Sequence, residues 1–206
     1  MPSQDLISLQ HGHVALWHIT ESEEELTASA QPEQCPEQII SGNKRLEWLA
    51  GRVLIKELAK TSGLEYKGIY KDQFGKPFLT DALHHISLSH SYPYVAAQIN
   101  PQHAVGIDIE QPKQKLLKIA PRILDEEELA DAGENVEKHC IYWCAKEALY
   151  KVHGRRGLLF ATHLKIAPFE IHPEGRISGI INFESEKITV NLQYFVKKEF
   201  VLVYSI

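Results

Sequence analysis

Cysteine is scarce in this sequence, which holds Cys35, Cys140 and Cys144 among 206 residues. Three thiols without regular spacing do not form the disulfide framework of a small secreted protein, so we expect reduced thiols. Cys140 and Cys144 are four residues apart and could bind zinc, but no second pair of ligands accompanies them. Packing in a hydrophobic core is therefore the favoured role for both side chains.

Long apolar runs are also missing. The longest, such as Phe200–Tyr204, have the length of a strand and fall far short of a membrane span. The N-terminus lacks the basic region and apolar stretch of an export signal, so the expected compartment is the cytoplasm. Since 44% of the residues are hydrophobic, the chain can still bury one large core or two small ones. We expect a globular protein that has no membrane partner.

A basic excess is absent as well, because the formal net charge is −5. This charge argues against a nucleic-acid partner. Residues 111–124 nevertheless contain four basic side chains and no acid, namely Lys113, Lys115, Lys118 and Arg122. Four acids follow directly at 125–128. The pattern fits either the end of one helix before the acidic first turn of the next, or a patch that binds an acidic partner.

Two acidic side chains alternate with isoleucine in the segment 105–110, which predicts a strand. Asp108 and Glu110 then point to one face, and the intervening isoleucines point to the core. An amphipathic edge strand would show the same alternation. Two like charges on one face repel each other, however, unless a cation lies between them.

A second charged motif occupies residues 143–151, which have helical character. Residues four apart share a helix face, so Trp143, Glu147 and Lys151 are aligned. If this helix packs on the acidic strand, three carboxylates converge beside a lysine. Such a group suits a hard divalent cation together with a phosphate. Seen alone, Glu147 and Lys151 would be read as an ordinary ion pair on a solvated helix.

Apolar periodicity predicts one long helix and several strands in each half of the chain, and hence an α+β fold. The long helices are expected at 45–59 and 136–152, with shorter ones at 115–123 and 125–132. The strands are expected at 14–19, 85–89, 94–99, 105–110, 164–171, 176–183, 187–195 and 200–206. A Pro-Glu-Gly turn is expected at 173–175.

Several motifs occur together in a fixed order. They are Gly51-Arg52, Gly75-Lys76-Pro77, Ser87-Leu88-Ser89-His90-Ser91, G-I-D-x-E at 106–110 and W-x-x-K-E-x-x-x-K at 143–151. With them the sequence resembles the 4′-phosphopantetheinyl transferase superfamily, and its length resembles the larger, surfactin-synthetase-activating type. The resemblance implies two similar half-domains, 1–101 and 102–206, in a pseudo-twofold arrangement. Each would pack a mainly antiparallel sheet against a long helix, and the second would carry the metal site.

The resemblance also implies an activity. The enzyme would transfer the 4′-phosphopantetheine arm from coenzyme A to a serine of an apo acyl or peptidyl carrier protein, releasing adenosine 3′,5′-bisphosphate. Mg²⁺ would be held by Asp108, Glu110 and Glu147, because carboxylate oxygens suit a small hard cation. Glu147 would also be the catalytic base, and Lys151 would be a second catalytic group that contacts a phosphate oxygen. A monomer is expected.

Coenzyme A would contact further residues in the first half of the chain. The resemblance assigns Lys76, Pro77, Ser89 and His90 to this role, together with Lys151 from the second half, and Arg45 and Arg52 fit the phosphates electrostatically. Gly-Lys-Pro is also a common surface turn, and an arginine on a helix surface is unremarkable in itself. Two other functions fit the same residues: a non-catalytic module that binds coenzyme A or a carrier protein, and a metal-dependent phosphodiesterase.

Overall fold

The computed structural model describes residues 4–206. Contacts divide the chain into two compact units, Met1–Val105 and Gly106–Ile206, which we call the N-terminal and the C-terminal unit. Each unit contains its own hydrophobic core. No helix in the described part of the chain is both long and apolar enough to cross a membrane.

Within residues 4–105, the N-terminal unit is a six-stranded antiparallel sheet with two helices. Its elements are β1 (Gln4–Ser8), β2 (His13–His18), α1 (Glu23–Ala30), α2 (Gly42–Thr61), β3 (Ile69–Lys71), β4 (Pro77–Leu79), β5 (His85–Ser91) and β6 (Tyr94–Asn100). The strand order is β1-β2-β6-β5-β4-β3. Helix α2 packs against β6, β2 and β5, and it carries the buried apolar stripe that the periodicity predicts.

Glycine at position 51 allows α2 to lie close to the sheet. A Cβ atom there would lie 2.8 Å from Cδ2 of Leu88 on β5, closer than packed carbon atoms approach. Leu54 and Leu58, farther along α2, are fully buried in the same core. The close packing sets the position of β5, which carries Ser89 and His90, relative to α2.

The C-terminal unit is a five-stranded antiparallel sheet with four helices among the described residues. Its elements are β7 (Ile107–Glu110), α3 (Lys115–Ile119), α4 (Glu126–Ala132), α5 (Val136–His153), α6 (Phe160–His163), β8 (Leu164–Ile166), β9 (Glu174–Phe183), β10 (Glu186–Val196) and β11 (Val201–Ser205). A short 3-10 helix, Ala120–Arg122, follows α3. The strand order is β7-β11-β10-β9-β8, and α5 packs mainly against β11 and β7.

Local signals explain where the helices of this unit begin and end. Asp125 accepts a hydrogen bond from the backbone N–H of Glu128, and Glu128 accepts one from the backbone N–H of Asp125, so α4 begins with a reciprocal capping box. Helix α5 begins after Asn135, whose side chain caps it. It ends at His153 and is capped by Gly154, which has the left-handed φ of +71° that favours glycine.

The two mixed units confirm the predicted α+β fold class. The pseudo-twofold arrangement stays a prediction. The expected strand 164–171 was wrong in length, because β8 ends at Ile166. The predicted turn at 173–175 also overlaps β9, which already begins at Glu174. The short strands β3 and β4 and the four-residue helix α6 were not predicted from the sequence.

Candidate functional site

Helix α5 and strand β7 approach each other closely at the start of the C-terminal unit. A Cβ atom on Gly106 would lie 1.9 Å from the carbonyl oxygen of Ala148 on α5, which is impossible for any other residue without a backbone shift. Two buried thiols lie on the same side of the helix. Cys140 donates a hydrogen bond to the carbonyl oxygen of Glu110, and Cys144 donates one to that of Val201. The glycine thus lets α5 lie directly against the acidic strand.

Asp108 and Lys151 form an ion pair between β7 and α5. The Lys151 Nζ atom lies 2.8 Å from Asp108 Oδ1 and donates a second hydrogen bond of 2.8 Å to the carbonyl oxygen of Ile107. Asp108 is only 5% exposed. A carboxylate this deeply buried requires a cationic partner, and Lys151 supplies that charge.

Glu147 lies one helical turn before Lys151 on α5, and its environment disfavours ionisation. Burial and the negative charge of Asp108 raise the pKa of Glu147 from 4.5 to about 7, although the Lys151 ammonium opposes the shift. The structure therefore brings Asp108, Glu147 and Lys151 together. Two carboxylates here share one ammonium, which leaves a local excess of negative charge.

Glu110, two residues after Asp108 on β7, is paired elsewhere. Its Oε2 atom lies 3.4 Å from the Nζ of Lys115, and its Oε1 atom accepts a hydrogen bond from the backbone N–H of Gln111. Within residues 4–206, no three His, Cys, Asp or Glu side chains are grouped so that they could hold a metal ion. The ligand set of Asp108, Glu110 and Glu147 thus stays a prediction.

The residues themselves fit a hard divalent cation. Asp108 and Glu147 offer only carboxylate oxygens, which are the ligands that Mg²⁺ takes from proteins. Burial and the charge of Asp108 disfavour the ionised form of Glu147, and the Lys151 ammonium offsets this effect only in part. A cation between the two carboxylates would favour the ionised form. The chemistry of this donor set therefore agrees with magnesium.

The turn before β4 presents Lys76. Asp72 organises this turn, because its Oδ1 atom accepts hydrogen bonds from the backbone N–H groups of Phe74 and Lys76. Gly75 has a φ of +90°, which other residues rarely adopt. Burial lowers the pKa of Lys76, and the charge of Asp72 opposes this shift. Pro77 follows as the first residue of β4.

Ser89 and His90 lie next to each other on β5 and face opposite ways. Ser89 is buried at 8% exposure, whereas His90 is exposed. The Nδ1 atom of His90 lies 3.3 Å from Oε2 of Glu47, a buried carboxylate on α2. Of the two residues on β5 that are predicted to bind coenzyme A, His90 is therefore the one accessible to a ligand, and Glu47 is its anionic partner.

Both arginines that fit coenzyme A electrostatically already have carboxylate partners. Arg45 Nε lies 2.6 Å from Glu23 Oε1, and Arg52 Nε lies 3.0 Å from Glu33 Oε2. The guanidinium of Arg52 also stacks over the ring of Trp48 at 4.3 Å. These contacts fix both side chains within the N-terminal unit, and their role toward phosphates stays a prediction.

Residues 104–205 match the family model described as the 4′-phosphopantetheinyl transferase superfamily. Through these residues the chain belongs to that superfamily. A similar curated protein is "4′-phosphopantetheinyl transferase gsp" of Aneurinibacillus migulanus, which is 32% identical over 115 residues. The match covers 52% of this chain and 48% of that protein, so the chain spans about half the length of this relative.

The location of one lysine in the motif at 143–151 was not predicted from the sequence. The Lys146 side chain is completely buried, and its Nζ atom lies 2.6 Å from Glu128 Oε2 on α4. It also donates hydrogen bonds to the carbonyl oxygens of Ile123 and Phe160. Glu128 in turn accepts a hydrogen bond from the backbone N–H of Ile166 on β8. Lys146 and Glu128 thus join α4, α5 and β8 immediately beside Glu147.

The sequence patterns around Lys146 and Glu128 did not predict that the two side chains form a buried pair. The acidic run at 125–128 indicated a helix start, which accounts for Glu128 as a capping residue. The lysine directly before Glu147 could equally lie at the surface. Helical spacing does not tell whether a charged side chain is buried beside an oppositely charged partner. Only the structure shows that both charges lie in the interior.

Proposed function

We propose that this protein transfers the 4′-phosphopantetheine arm of coenzyme A to a serine hydroxyl of an apo carrier protein, in a Mg²⁺-dependent reaction that releases adenosine 3′,5′-bisphosphate. The observation that carries the proposal is the group of Asp108, Glu147 and Lys151, which lies inside the region that matches the superfamily. In the reaction, the serine oxygen forms a bond to phosphorus and the diphosphate bond to the nucleotide breaks.

Glu147 accepts the serine proton in this proposal. A general base works best when its pKa is close to the working pH, and burial together with Asp108 raises the pKa of Glu147 to about 7. An ordinary surface glutamate would be a much weaker base. The position of Glu147 on helix α5, which packs against β7, also places its carboxylate beside that strand.

Lys151 and the predicted metal ligands neutralise charge. The Lys151 ammonium has three donors, so it can keep its contact with Asp108 and still contact a phosphate oxygen. Asp108, Glu110 and Glu147 would hold Mg²⁺, which when bound stabilises negative charge on the diphosphate oxygens. Lys76, Pro77, Ser89, His90, Arg45 and Arg52 are the residues of the N-terminal unit that we propose for coenzyme A.

The test is incubation of the protein with coenzyme A and Mg²⁺, with and without an apo carrier protein. Mass spectrometry of the carrier should show the added phosphopantetheine arm, and the bisphosphate should appear only when the carrier is present. Bisphosphate without a carrier would instead identify a phosphodiesterase. Binding of coenzyme A without any product would identify a non-catalytic module.

Replacing Lys76 or His90 by alanine should raise the Michaelis constant for coenzyme A about tenfold and leave that for the carrier nearly unchanged. The reason is the loss of one hydrogen-bond donor to a charged phosphate, which corresponds to about 1.4 kcal/mol. Steady-state kinetics with each substrate varied separately would measure this. Lys71→Ala, which removes an exposed lysine from β3, is the matched control. Unchanged coenzyme A dependence in both variants would contradict the assignment.

A carrier protein is proposed to dock on the basic patch of Lys113, Lys115, Lys118 and Arg122. All four side chains are exposed, and carrier proteins generally offer an acidic helix beside the modified serine. Lys115 is unsuitable for charge reversal because it contacts Glu110. The double variant Lys113→Glu/Lys118→Glu avoids that contact.

This double variant should slow association with the carrier and flatten its salt dependence, because exposed charges mainly steer the encounter. Stopped-flow measurements at several salt concentrations would show the effect, and coenzyme A binding should not change. Lys197→Glu/Lys198→Glu reverses two exposed charges after β10 and serves as the control. If both double variants associate at the wild-type rate at low salt, the carrier docks on another surface.

A further inference from the structure

A buried carboxylate on α2 lies between two basic side chains in the N-terminal unit. Glu47 is 2% exposed. Its Oε2 atom lies 2.6 Å from Lys44 Nζ and 3.3 Å from His90 Nδ1, and its Oε1 atom accepts a hydrogen bond of 2.8 Å from the backbone N–H of Tyr92. We call Lys44, Glu47 and His90 the Glu47 cluster. It connects α2 with the end of β5.

The side chains of the Glu47 cluster lie at different depths from the surface. Burial would raise the pKa of Glu47, but the hydrogen bonds from His90 and Lys44 outweigh burial and lower it to about 2. The carboxylate is therefore ionised at neutral pH. The side chains of Lys44 and His90 are 59% and 41% exposed, respectively. A ligand that approaches from solvent meets the side chains of Lys44 and His90 first and the carboxylate only behind them.

Glu47 also lies on a defined side of the imidazole ring. A carboxylate beside one ring nitrogen favours a ring orientation in which the other nitrogen points away from it. In His90 the nitrogen next to Glu47 is Nδ1, at 3.3 Å, so Nε2 lies on the other side of the ring. Lys44 uses one of its three ammonium donors toward Glu47 and has two more for a ligand.

We propose that Glu47 is a positioning residue that holds His90 and Lys44 side by side as a binding site for a phosphate group. This inference rests on the proposed function, in which the phosphate belongs to coenzyme A. It adds Lys44 to the ligand-binding residues and gives Glu47 a role through its neighbours, without direct contact with the phosphate.

A purely structural role for Glu47 makes a different prediction. The contact with the N–H of Tyr92 could serve only to attach α2 to the turn after β5. Glu47→Gln keeps an oxygen that can accept this hydrogen bond but removes the charge that holds Lys44 and His90. A structural role would lower the melting temperature of this variant without changing its ligand affinity. A positioning role would weaken ligand binding in a protein that remains folded.

The experiment is isothermal titration calorimetry with coenzyme A and with adenosine 3′,5′-bisphosphate, in the presence of a chelator and without a carrier. Glu47→Gln should raise the dissociation constant for both probes about tenfold, as expected when charged hydrogen bonds to one phosphate are weakened. Glu57→Gln removes a carboxylate from the same helix, roughly 15 Å away by helical rise, and should bind as the wild type does.

A double-mutant cycle tests whether Glu47 acts through His90. His90→Gln should weaken binding, and adding Glu47→Gln should then weaken it by much less than in the wild type, because the two changes share one interaction. Additive effects would overturn a role exerted through His90. A wild-type protein that fails to bind coenzyme A would overturn the proposed function together with this inference. Equal affinities in wild type and Glu47→Gln would overturn this inference alone.

Discussion

Glu147→Gln should abolish phosphopantetheine transfer while the protein remains folded. Glutamine keeps the shape of the side chain but cannot accept the serine proton or give a cation a full negative charge. Loss of a general base alone lowers a rate by about 10²- to 10⁴-fold. Asp108→Asn should have a comparable effect, because Asp108 holds Lys151 and is a predicted metal ligand. Transfer to an apo carrier, followed by mass spectrometry, is the measurement.

Glu147→Gln should also stabilise the metal-free protein above neutral pH. The folded-state pKa of Glu147 is raised from 4.5 to about 7, so its stabilising contribution is fully present below pH 4.5 and is lost as the pH rises through 7. The rise in pKa corresponds to about 3 kcal/mol. Glutamine does not ionise. The melting temperature of Glu147→Gln should therefore exceed that of the wild type at pH 8 in chelator, and the difference should shrink toward pH 5.

Addition of Mg²⁺ tests the assignment of Asp108 and Glu147 as metal ligands. If Asp108 and Glu147 hold the ion, Mg²⁺ should raise the melting temperature of the wild type at pH 8, since binding to the folded state stabilises it. The shift should be absent in Glu147→Gln and in Asp108→Asn. Near-normal transfer by either variant with Mg²⁺ present would contradict the proposed metal site. An equal Mg²⁺-induced shift in all three proteins would contradict it independently of activity.

Periodicity predicted the elements of the candidate site well because it reports which side chains share a face. The alternation around Asp108 and the four-residue spacing of Glu147 and Lys151 both correspond to observed elements, β7 and α5. The close approach of these elements could not be predicted in the same way. It depends on Gly106, whose missing Cβ leaves room for the backbone of Ala148.

The partners of ion pairs were the hardest feature to predict, because a charged side chain often pairs with a residue that is distant in the sequence. Arg45 was expected to be available for phosphates, and the structure shows it beside Glu23. Arg52 similarly lies beside Glu33, in the loop between α1 and α2. A loop brings its carboxylates to positions that follow from tertiary packing, and no local spacing encodes them.

Glu110 illustrates the same limit within the predicted metal site. Its spacing from Asp108 placed both side chains on one strand face. The pattern did not indicate that Lys115, at the start of α3, would lie 3.4 Å from the Glu110 carboxylate. A basic residue five positions later could equally have faced solvent. The first turn of α3 brings the two charges together, and that turn is set by the burial of Leu116.

Lys146→Met should cause the largest loss of stability of any substitution considered in this protein. The methionine fills most of the space but leaves the Glu128 carboxylate buried at 2% exposure without its cation. Breaking a buried ion pair by removing one partner costs about 3–5 kcal/mol. The carbonyl oxygens of Ile123 and Phe160 would also lose a donor. Chemical denaturation of the purified protein would measure the change in the free energy of unfolding.

The second variant of this test is Lys146→Met/Glu128→Gln, which removes both charges. Asp125 and Ile166 donate their backbone N–H groups to different oxygens of Glu128, and glutamine keeps one of these acceptors. It carries no charge that requires a buried cation. The double variant should therefore be more stable than Lys146→Met, which is the non-additivity expected for a direct pair. Lys118→Met, at an exposed position on α3, should change the free energy of unfolding by less than about 0.5 kcal/mol. A Lys146→Met protein as stable as this control would show that the buried charge pair contributes nothing to the fold beside Glu147.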